Sequence, residues 1–230
     1  DRMQMNFLFN KRKLHWLLLG VLVLAVANIT NQLIGKPYWG ITRFIYLGYD
    51  NNLAAWYSSM LFVAAAFLAH ECSVVARRKN IRGEAFFLFA LLLFFMSADE
   101  VAQIHEITGG YLAKFSGLAE QEFAKHSAWV WLGGPVIIAL FVTAVVMLKR
   151  EMALVPGSLK LLCIGLAMIV FGGVVLEASI NFLNHESLQW VWDIEIVVEE
   201  TLEMLGSVFI AYAMLIWRDG VLARPSEGLL

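Results

Sequence analysis

The hydrophobic positions of this chain fall into six long runs that are separated by short polar connections. Each run is close to the roughly 20 residues that an α-helix needs to cross a hydrocarbon layer about 30 Å thick. The connections carry glycine, proline and charged residues, which end helices and favour turns. The pattern therefore predicts six membrane-spanning helices, at about residues 14–33, 53–75, 85–108, 128–148, 159–182 and 194–217.

The first run has a second interpretation. The basic segment Lys11-Arg12-Lys13, the apolar stretch after it and the small residues Ala25-Val26-Ala27 also match the outline of a cleavable signal peptide. We expect this segment to remain in the mature chain as the first spanning helix.

Composition agrees with a membrane protein, because hydrophobic residues make up 60% of the 230 residues. The expected fold class is an all-α integral membrane protein, a six-helix bundle that forms one membrane domain over residues 1–230. The formal net charge of -2 is too small to suggest a nucleic-acid partner. The expected partner of such a chain is the lipid bilayer itself.

Basic residues predict the orientation. Thirteen of the 17 lysine and arginine residues fall on one side of the predicted spans, and the positive-inside rule places that side, with both termini, in the cytoplasm. On that side, Glu71 is expected to pair with Arg77 or Arg78. We expect an N-in/C-in protein of the bacterial inner membrane. The extracytoplasmic side carries only Lys36, Arg43, Lys114 and Lys125.

Most tryptophans lie near the predicted outer interface. An aromatic belt is the default explanation, because indole rings favour the membrane–water boundary. In a second interpretation, these rings bind a membrane-protein partner or shape a lipid-facing route to a site. The outer tryptophans are Trp39, Trp56, Trp129, Trp131, Trp190 and Trp192.

Carboxylates interrupt the third, fifth and sixth runs, and no lysine or arginine accompanies them there. Burying an isolated carboxylate in hydrocarbon is costly, so a proton, a cationic side chain or a metal ion must neutralise it. Because no cationic side chain is near, protons and metal ions remain. The eight acids are Asp99, Glu100, Glu106, Glu177, Glu195, Glu199, Glu200 and Glu203.

The rise of an α-helix per residue predicts how deep each of these acids lies in the membrane. At about 1.5 Å per residue, four of them share one layer in the outer half of the membrane, whereas Glu106 and Glu195 line the way out. If the third helix is regular, Asp99 and Glu106 share a face, and Glu100 and His105 point toward different neighbours. The four deeper acids are Asp99, Glu177, Glu199 and Glu203.

This donor set predicts a metal site. Oxygen-rich sites suit hard cations, and an imidazole moves the preference toward iron, manganese or zinc. We predict one or two divalent ions (iron, manganese, zinc or calcium), with Glu100 and Glu200 as bases or as hydrogen-bond partners of ligands. His126 is a further candidate ligand. The predicted ligands are Asp99, His105, Glu106, Glu177, Glu199 and Glu203.

The site type is similar to that of di-metal carboxylate bundles, in which facing helices supply the ligands. The chain lacks their Glu-x-x-His spacing, however, and its nearest equivalent is Glu200-x-x-Glu203. The similarity therefore concerns the kind of site and not a family.

Two classes of function follow from such a site. The first is a membrane metalloenzyme, a hydrolase or oxidoreductase, that acts on a lipid-like or small apolar substrate. The second is a carrier or receptor for divalent cations or protons, or a non-catalytic metal-holding subunit. Protonated carboxyl groups that bond to one another remain an alternative to metal. The helices are apolar below the acids, which favours a site open to one side over a transport path.

Overall fold

The computed structural model describes residues 9–49, 51–124, 127–182 and 189–224. These residues are almost entirely helical and contain no β-strand. Short 3₁₀ turns cover Leu118–Glu120, Glu122–Ala124 and Ile180–Phe182, and a π-helical turn covers Phe171–Leu176. The α-helices are α1 Lys11–Leu33, α2 Trp39–Ile45, α3 Leu53–Arg78, α4 Glu84–Ala102, α5 Ile104–Phe115, α6 Trp129–Met152, α7 Ser158–Val170, α8 Glu177–Ser179 and α9 Gln189–Leu222.

Six helical segments in the described parts of the chain are long and apolar enough to cross a membrane. They are α1, α3, α4, α6, α9 and the continuous segment from α7 to Phe182. The prediction of six such helices is therefore confirmed. The predicted third span is wrong at its end, because α4 stops at Ala102 and not at residue 108.

Helices α3 and α9 lie at the centre of the bundle, because α3 packs against α4 and α9, and α9 also packs against α1 and α7. Both helices contribute small apolar residues to the main hydrophobic core, including Ala65, Ala69 and Ala211, that are buried completely or almost so. Burying such surface supplies the main packing energy in a water-excluded core. We call the end of the bundle with Asn52 and Ala102 the upper end, and the end with Arg78 and Glu84 the lower end.

Close helix contact is possible where α7 crosses α9 because both helices carry glycine there. A Cβ atom added to Gly165 would lie 2.7 Å from the carbonyl oxygen of Gly206, and one added to Gly206 would lie 2.6 Å from that of Gly165. No side chain fits at either position without a shift of the backbone. The crossing therefore fixes the distance between these helices just below the acidic residues.

Asparagine side chains start two of the long helices. Asn10 Oδ1 accepts a hydrogen bond from the backbone N–H of Lys13 (3.0 Å), and Asn52 Oδ1 accepts from Ala54 (2.8 Å) and Ala55 (3.1 Å). These bonds satisfy amide groups that a helix start leaves without intrahelical partners. The caps explain why α1 and α3 begin where their apolar runs begin.

A buried arginine holds the lower end together. The guanidinium of Arg218 is 3% exposed, and it forms ion pairs with Glu71 and with Asp219. The pairing of Glu71 with Arg77 or Arg78 stays a prediction. Arg218 is a partner of Glu71 from another helix, because α9 packs beside α3.

Candidate functional site

All eight acids of the apolar runs line one cavity of about 230 Å³ near the upper end. We call it the acidic cavity. Gln103, His105, Trp129 and Trp192 also contribute to its wall, together with apolar residues such as Ile137 and Ile169. Among the described residues, no lysine or arginine lines it. The acids are Asp99, Glu100, Glu106, Glu177, Glu195, Glu199, Glu200 and Glu203.

A break between α4 and α5 creates one wall of the acidic cavity. Gln103 has φ 52° and ψ 38°, which is the left-handed region, and it ends α4 and precedes α5. The backbone N–H of His105 then donates to Asp99 Oδ1 at 2.8 Å, and His105 Nδ1 lies 2.6 Å from Asp99 Oδ2. The carboxyl group of Asp99 thus caps α5 and orients the imidazole of the same segment.

This geometry corrects the phase argument for the third helix. A regular helix would turn His105 away from Asp99, but the left-handed residue Gln103 interrupts the helix and brings the two side chains into contact. Burial lowers the pKa of His105, and the hydrogen bond and negative charge of Asp99 raise it by more, so its pKa lies above the ordinary value. His105 therefore holds its proton more firmly than an exposed histidine.

Glu177 receives two hydrogen bonds on one oxygen. Its Oε1 accepts from the hydroxyl of Ser127 at 2.6 Å and from the indole Nε1–H of Trp129 at 2.5 Å. The Trp129 ring also lies edge-on to the His105 ring, with centroids 4.3 Å apart. Two donors on Oε1 fix the orientation of the carboxylate and direct Oε2 away from them.

Trp129 is thus misassigned by the aromatic-belt interpretation. Only 6% of Trp129 is exposed, whereas Trp39 and Trp190 are each 64% exposed, as a belt requires. Trp192 also lines the acidic cavity. Position near a helix end places a tryptophan at the interface on average, but the hydrogen bond to Glu177 gives Trp129 an inward role.

The π-helical turn decides where Glu177 points. In a regular α-helix, Glu177 would lie about 120° around the axis from Gly165, which packs against α9. The π turn holds about one additional residue, which removes about 100° of rotation. Glu177 therefore falls within about 20° of the α9-facing side. The periodicity of one regular helix does not predict this rotation of Glu177 about the helix axis.

Two glycines of the π turn make room for the acids of α9. A Cβ at Gly173 would overlap Oε1 of Glu203, and a Cβ at Gly172 would lie 2.9 Å from the carbonyl oxygen of Glu199. The carboxyl group of Glu203 therefore occupies the space that a larger residue at position 173 would fill. Glu199 and Glu203 are both partly buried, and both experience repulsion from Glu177.

Glu195 lies deeper than expected. It was predicted to line the way out, but it is 8% exposed, and its Oε1 has no hydrogen-bond partner among the described residues. Its carboxyl group interacts through a side-chain hydrogen bond with that of Glu199 one turn later. Gly48 packs against the side chain of Ile196, the next residue of α9, and both residues line the acidic cavity with Glu195.

The remaining acids occupy different parts of the wall. Glu106 is exposed, as expected for the mouth of the acidic cavity, and Gln103 Nε2 lies 3.5 Å from its Oε2. Glu100 and Glu200 are partly buried, and both exert repulsion on Glu203. The predicted base positions therefore lie near Glu203 in the cavity wall.

The acidic cavity does not hold a preformed metal centre in the described parts of the chain. No three histidine, cysteine, aspartate or glutamate side chains there converge closely enough to form one. The candidate ligand His126 lies outside the described residues. The structure thus brings all predicted ligands to one cavity wall, and their role as ligands stays a prediction.

Sequence reasoning missed the neutral donors of the site, because they lie outside the acidic runs. Ser127 precedes α6 and Trp129 begins it, and they meet Glu177 only through the packing of α6 against α7 and α8. A usable signal was present, since a serine and a tryptophan at a predicted helix start can donate to a carboxylate on a neighbouring helix.

Fold and site together define the class of this protein. It is an all-helical chain, over its described residues, with six helices able to span a membrane and one carboxylate-lined cavity at the upper end. Over residues 15–217 the chain matches the model of DUF8692, a domain of unknown function, and it belongs to that family. No curated protein and no solved structure matches the chain.

Proposed function

We propose that this chain is one polytopic membrane domain with both termini in the cytoplasm, in the inner membrane of a bacterium. The distribution of basic residues supports this orientation, because Arg77, Arg78 and Arg82 lie at the lower end of the bundle. The upper end, with the acidic cavity, then faces the extracytoplasmic side. The exposed rings of Trp39 and Trp190 would lie at that interface, where they could also contact a membrane-protein partner.

We further propose that the acidic cavity binds divalent metal ions. The observation that carries this proposal is the gathering of eight carboxylates around about 230 Å³ without a lysine or arginine in the described wall. In the outer half of a membrane, eight neighbouring carboxylates cannot all be ionised unless cations accompany them. A divalent ion neutralises two of them at once and can be held by their oxygens.

Glu195 gives independent support for a bound cation. Its side chain is more than nine-tenths buried, lines the acidic cavity and has an oxygen without a hydrogen-bond partner among the described residues. Leaving a buried acceptor unsatisfied costs about 1–3 kcal/mol. A metal ion in the cavity would remove that cost by accepting the lone pair of the oxygen.

The hydrogen bonds suggest how the ligands divide their roles. Asp99 already holds His105 Nδ1, which leaves His105 Nε2 as the ligand atom and makes Asp99 the partner that orients it. Glu177 would bind through Oε2, because Ser127 and Trp129 occupy its Oε1. Glu199, Glu203 and Glu106 complete the candidate set for one or two ions of iron, manganese, zinc or calcium.

The chemistry that fits this arrangement is that of a membrane metalloenzyme. A bound metal ion lowers the pKa of a coordinated water, and Glu100 or Glu200 would take up the released proton. Both lie beside Glu203 in the wall of the acidic cavity. A hydrolase or oxidoreductase acting on a lipid-like or small apolar substrate would use the site in this way.

A specific observation favours a second candidate, a carrier or receptor for protons or divalent cations, or a non-catalytic ion-holding subunit. The carboxyl groups of Glu195 and Glu199 interact one turn apart on α9, and a proton shared between two such neighbours would remove their mutual repulsion. The lack of three converging ligands in the described chain agrees with protonated acids. In this alternative, protons neutralise the cavity.

Elemental analysis of protein purified without chelator tests the metal proposal. We expect at least one divalent ion per chain, and we expect Glu203→Gln and Glu199→Gln to lower that content at least tenfold. Glu84→Gln, an exposed acid at the lower end, is the matched control and should retain the metal. Metal-free wild-type protein would overturn the proposal and favour the proton alternative, which proton uptake into vesicles then tests.

A further inference from the structure

A second cavity, of about 300 Å³, lies beside the acidic cavity between α4, α5 and α6. We call it the lateral groove. Its wall is almost wholly hydrocarbon, and several of its side chains are exposed on the outer surface of the bundle. The exposed apolar residues of its wall include Phe95, Leu112, Leu132, Val136 and Leu140.

The lateral groove adjoins the acidic cavity. Met96, Asp99, His105 and Ile137 line both of them. Asp99 and His105 are, with Thr108, the polar side chains at the upper part of the groove. A molecule in the groove would therefore place one end against the pair of Asp99 and His105 and thus beside the candidate ligands.

The length of the lateral groove matches one leaflet. From Leu132 to Phe141, nine helical steps of α6 span about 13.5 Å toward the lower end, whereas half of a hydrocarbon core is about 15 Å. On α4, the groove extends from Asp99 down to Leu92. Its polar end therefore lies at the upper side, and its apolar end lies near mid-membrane.

The shape and lining of the lateral groove suit a hydrocarbon chain. Its space of about 300 Å³ extends along about 13.5 Å of α6, and its wall is apolar except for Asp99, His105 and Thr108. A chain of methylene groups with a polar end fits an elongated apolar groove of this kind.

We propose that the lateral groove holds one hydrocarbon chain of a lipid from the upper leaflet, with the lipid head group at Asp99 and His105. The inference rests on the proposed membrane placement, and it names the substrate class of the proposed site. A lipid enters such a site sideways from the bilayer, so that its chain never crosses water. Its polar end then meets Asp99 and His105, the two polar side chains that the groove shares with the acidic cavity.

Photolabelling of detergent-solubilised full-length protein tests the proposal. The probe is phosphatidylethanolamine with a diazirine near the end of one acyl chain, and its ammonium group complements the carboxylates. We expect saturable labelling of groove residues such as Phe95 and Leu140. Labelling that rises linearly with probe, or that is equal on the α6 face around Val142, would overturn the proposal.

A pair of substitutions on α6 provides a matched comparison. Val136→Trp fills the lateral groove and should reduce saturable labelling at least fivefold. Val142→Trp is the control, because Val142 is similarly exposed (57% against 58%) and lies outside the groove. Both variants should unfold at similar temperatures. Undiminished labelling of the Val136→Trp variant would contradict the inference.

Metal content, measured on the same samples, separates this inference from the proposed function. Saturable labelling of a protein without metal would support the lateral groove and refute the metal site. Unsaturable labelling of a protein that holds metal would refute the groove and leave the metal site standing.

Discussion

Asp99 binds His105 twice, through the backbone N–H at 2.8 Å and through the imidazole Nδ1 at 2.6 Å. One carboxyl group therefore fixes both the start of α5 and the orientation of the ring. Asp99→Asn retains the shape and an acceptor for the backbone but removes the charge beside Nδ1. We expect the pKa of His105 to fall toward its ordinary value, and NMR titration of the ring protons measures this.

The titration has a clear control in Glu84→Gln, which removes a carboxylate far from His105. That variant should leave the His105 pKa as in the wild type. A His105 pKa that does not change in Asp99→Asn would mean that the pair does not form in the protein in solution.

Stability should depend on pH through the same pair. The pKa of His105 in the folded state is raised above the ordinary 6.5, so the folded chain binds the proton more tightly than the unfolded chain. This stabilisation is fully present below pH 6.5, and it is lost as pH rises through the raised pKa. Thermal unfolding of chelator-treated protein should therefore show a falling melting temperature over that window.

Asp99→Asn is expected to flatten this pH dependence, because the folded and unfolded pKa values then become similar. A melting temperature that rises through the same window in the wild type would have the opposite sign and would refute the assignment.

Gly173→Ala should separate cation binding from folding. The added Cβ overlaps Oε1 of Glu203, which is the far end of a flexible side chain and can move. The gain of about 1 kcal/mol in helix propensity offsets much of the resulting strain, so stability should change by no more than about 1 kcal/mol. Metal affinity, followed by isothermal titration of the chelated protein, should fall at least tenfold.

Substitutions of two other glycines serve as comparisons for Gly173→Ala. Gly110→Ala meets no atom within 4 Å, so it should raise stability by up to about 1 kcal/mol through helix propensity and leave metal affinity unchanged. Gly172→Ala places its Cβ 2.9 Å from a backbone oxygen, which cannot rotate away, and should destabilise the fold by about 1–3 kcal/mol. Normal metal affinity in Gly173→Ala would show that Glu203 is not a ligand.

Trp129→Phe tests the donor to Glu177. The ring beside His105 remains, but the Nε1–H that lies 2.5 Å from Glu177 Oε1 is lost. A hydrogen bond to a charged group contributes about 1.5–3 kcal/mol, so we expect a loss of that order in the free energy of unfolding. Chemical denaturation in a mild detergent measures it.

Trp131→Phe is the matched control, because Trp131 is 36% exposed and its ring packs against Phe123. It should cost less than about 0.5 kcal/mol. An equal loss in both variants would indicate that the indole volume matters and that the hydrogen bond to Glu177 does not.

The grouping of the acids could be predicted, because an unpaired carboxylate in an apolar run has few acceptable environments. Asp99, Glu177 and Glu203 come from three separate spans, and the same electrostatic constraint applies to each. They line one cavity in the structure. The six spans were predictable for a similar reason, because a helix that crosses a membrane must be largely apolar whatever its tertiary contacts are.

Local backbone changes could not be predicted in this way. The break at Gln103 has neither glycine nor proline as a signal, and the Asp99 carboxyl group that caps α5 stabilises it only once both helices exist. The π turn leaves the hydropathy of its span unchanged. The hydrophobic pattern therefore predicts the depth of the acids along their helices, whereas tertiary packing determines the direction in which their side chains point.

The extra residue in the π turn has a consequence for changes in chain length. Deleting one residue from a regular spanning helix rotates everything beyond it by about 100°. Between Phe171 and Leu176, a deletion would instead convert the wide turn into an ordinary one and keep Glu177 on the side that faces α9. Related chains can therefore differ by one residue here and still aim this carboxylate into the cavity, whereas the same deletion within α7 would turn it toward lipid.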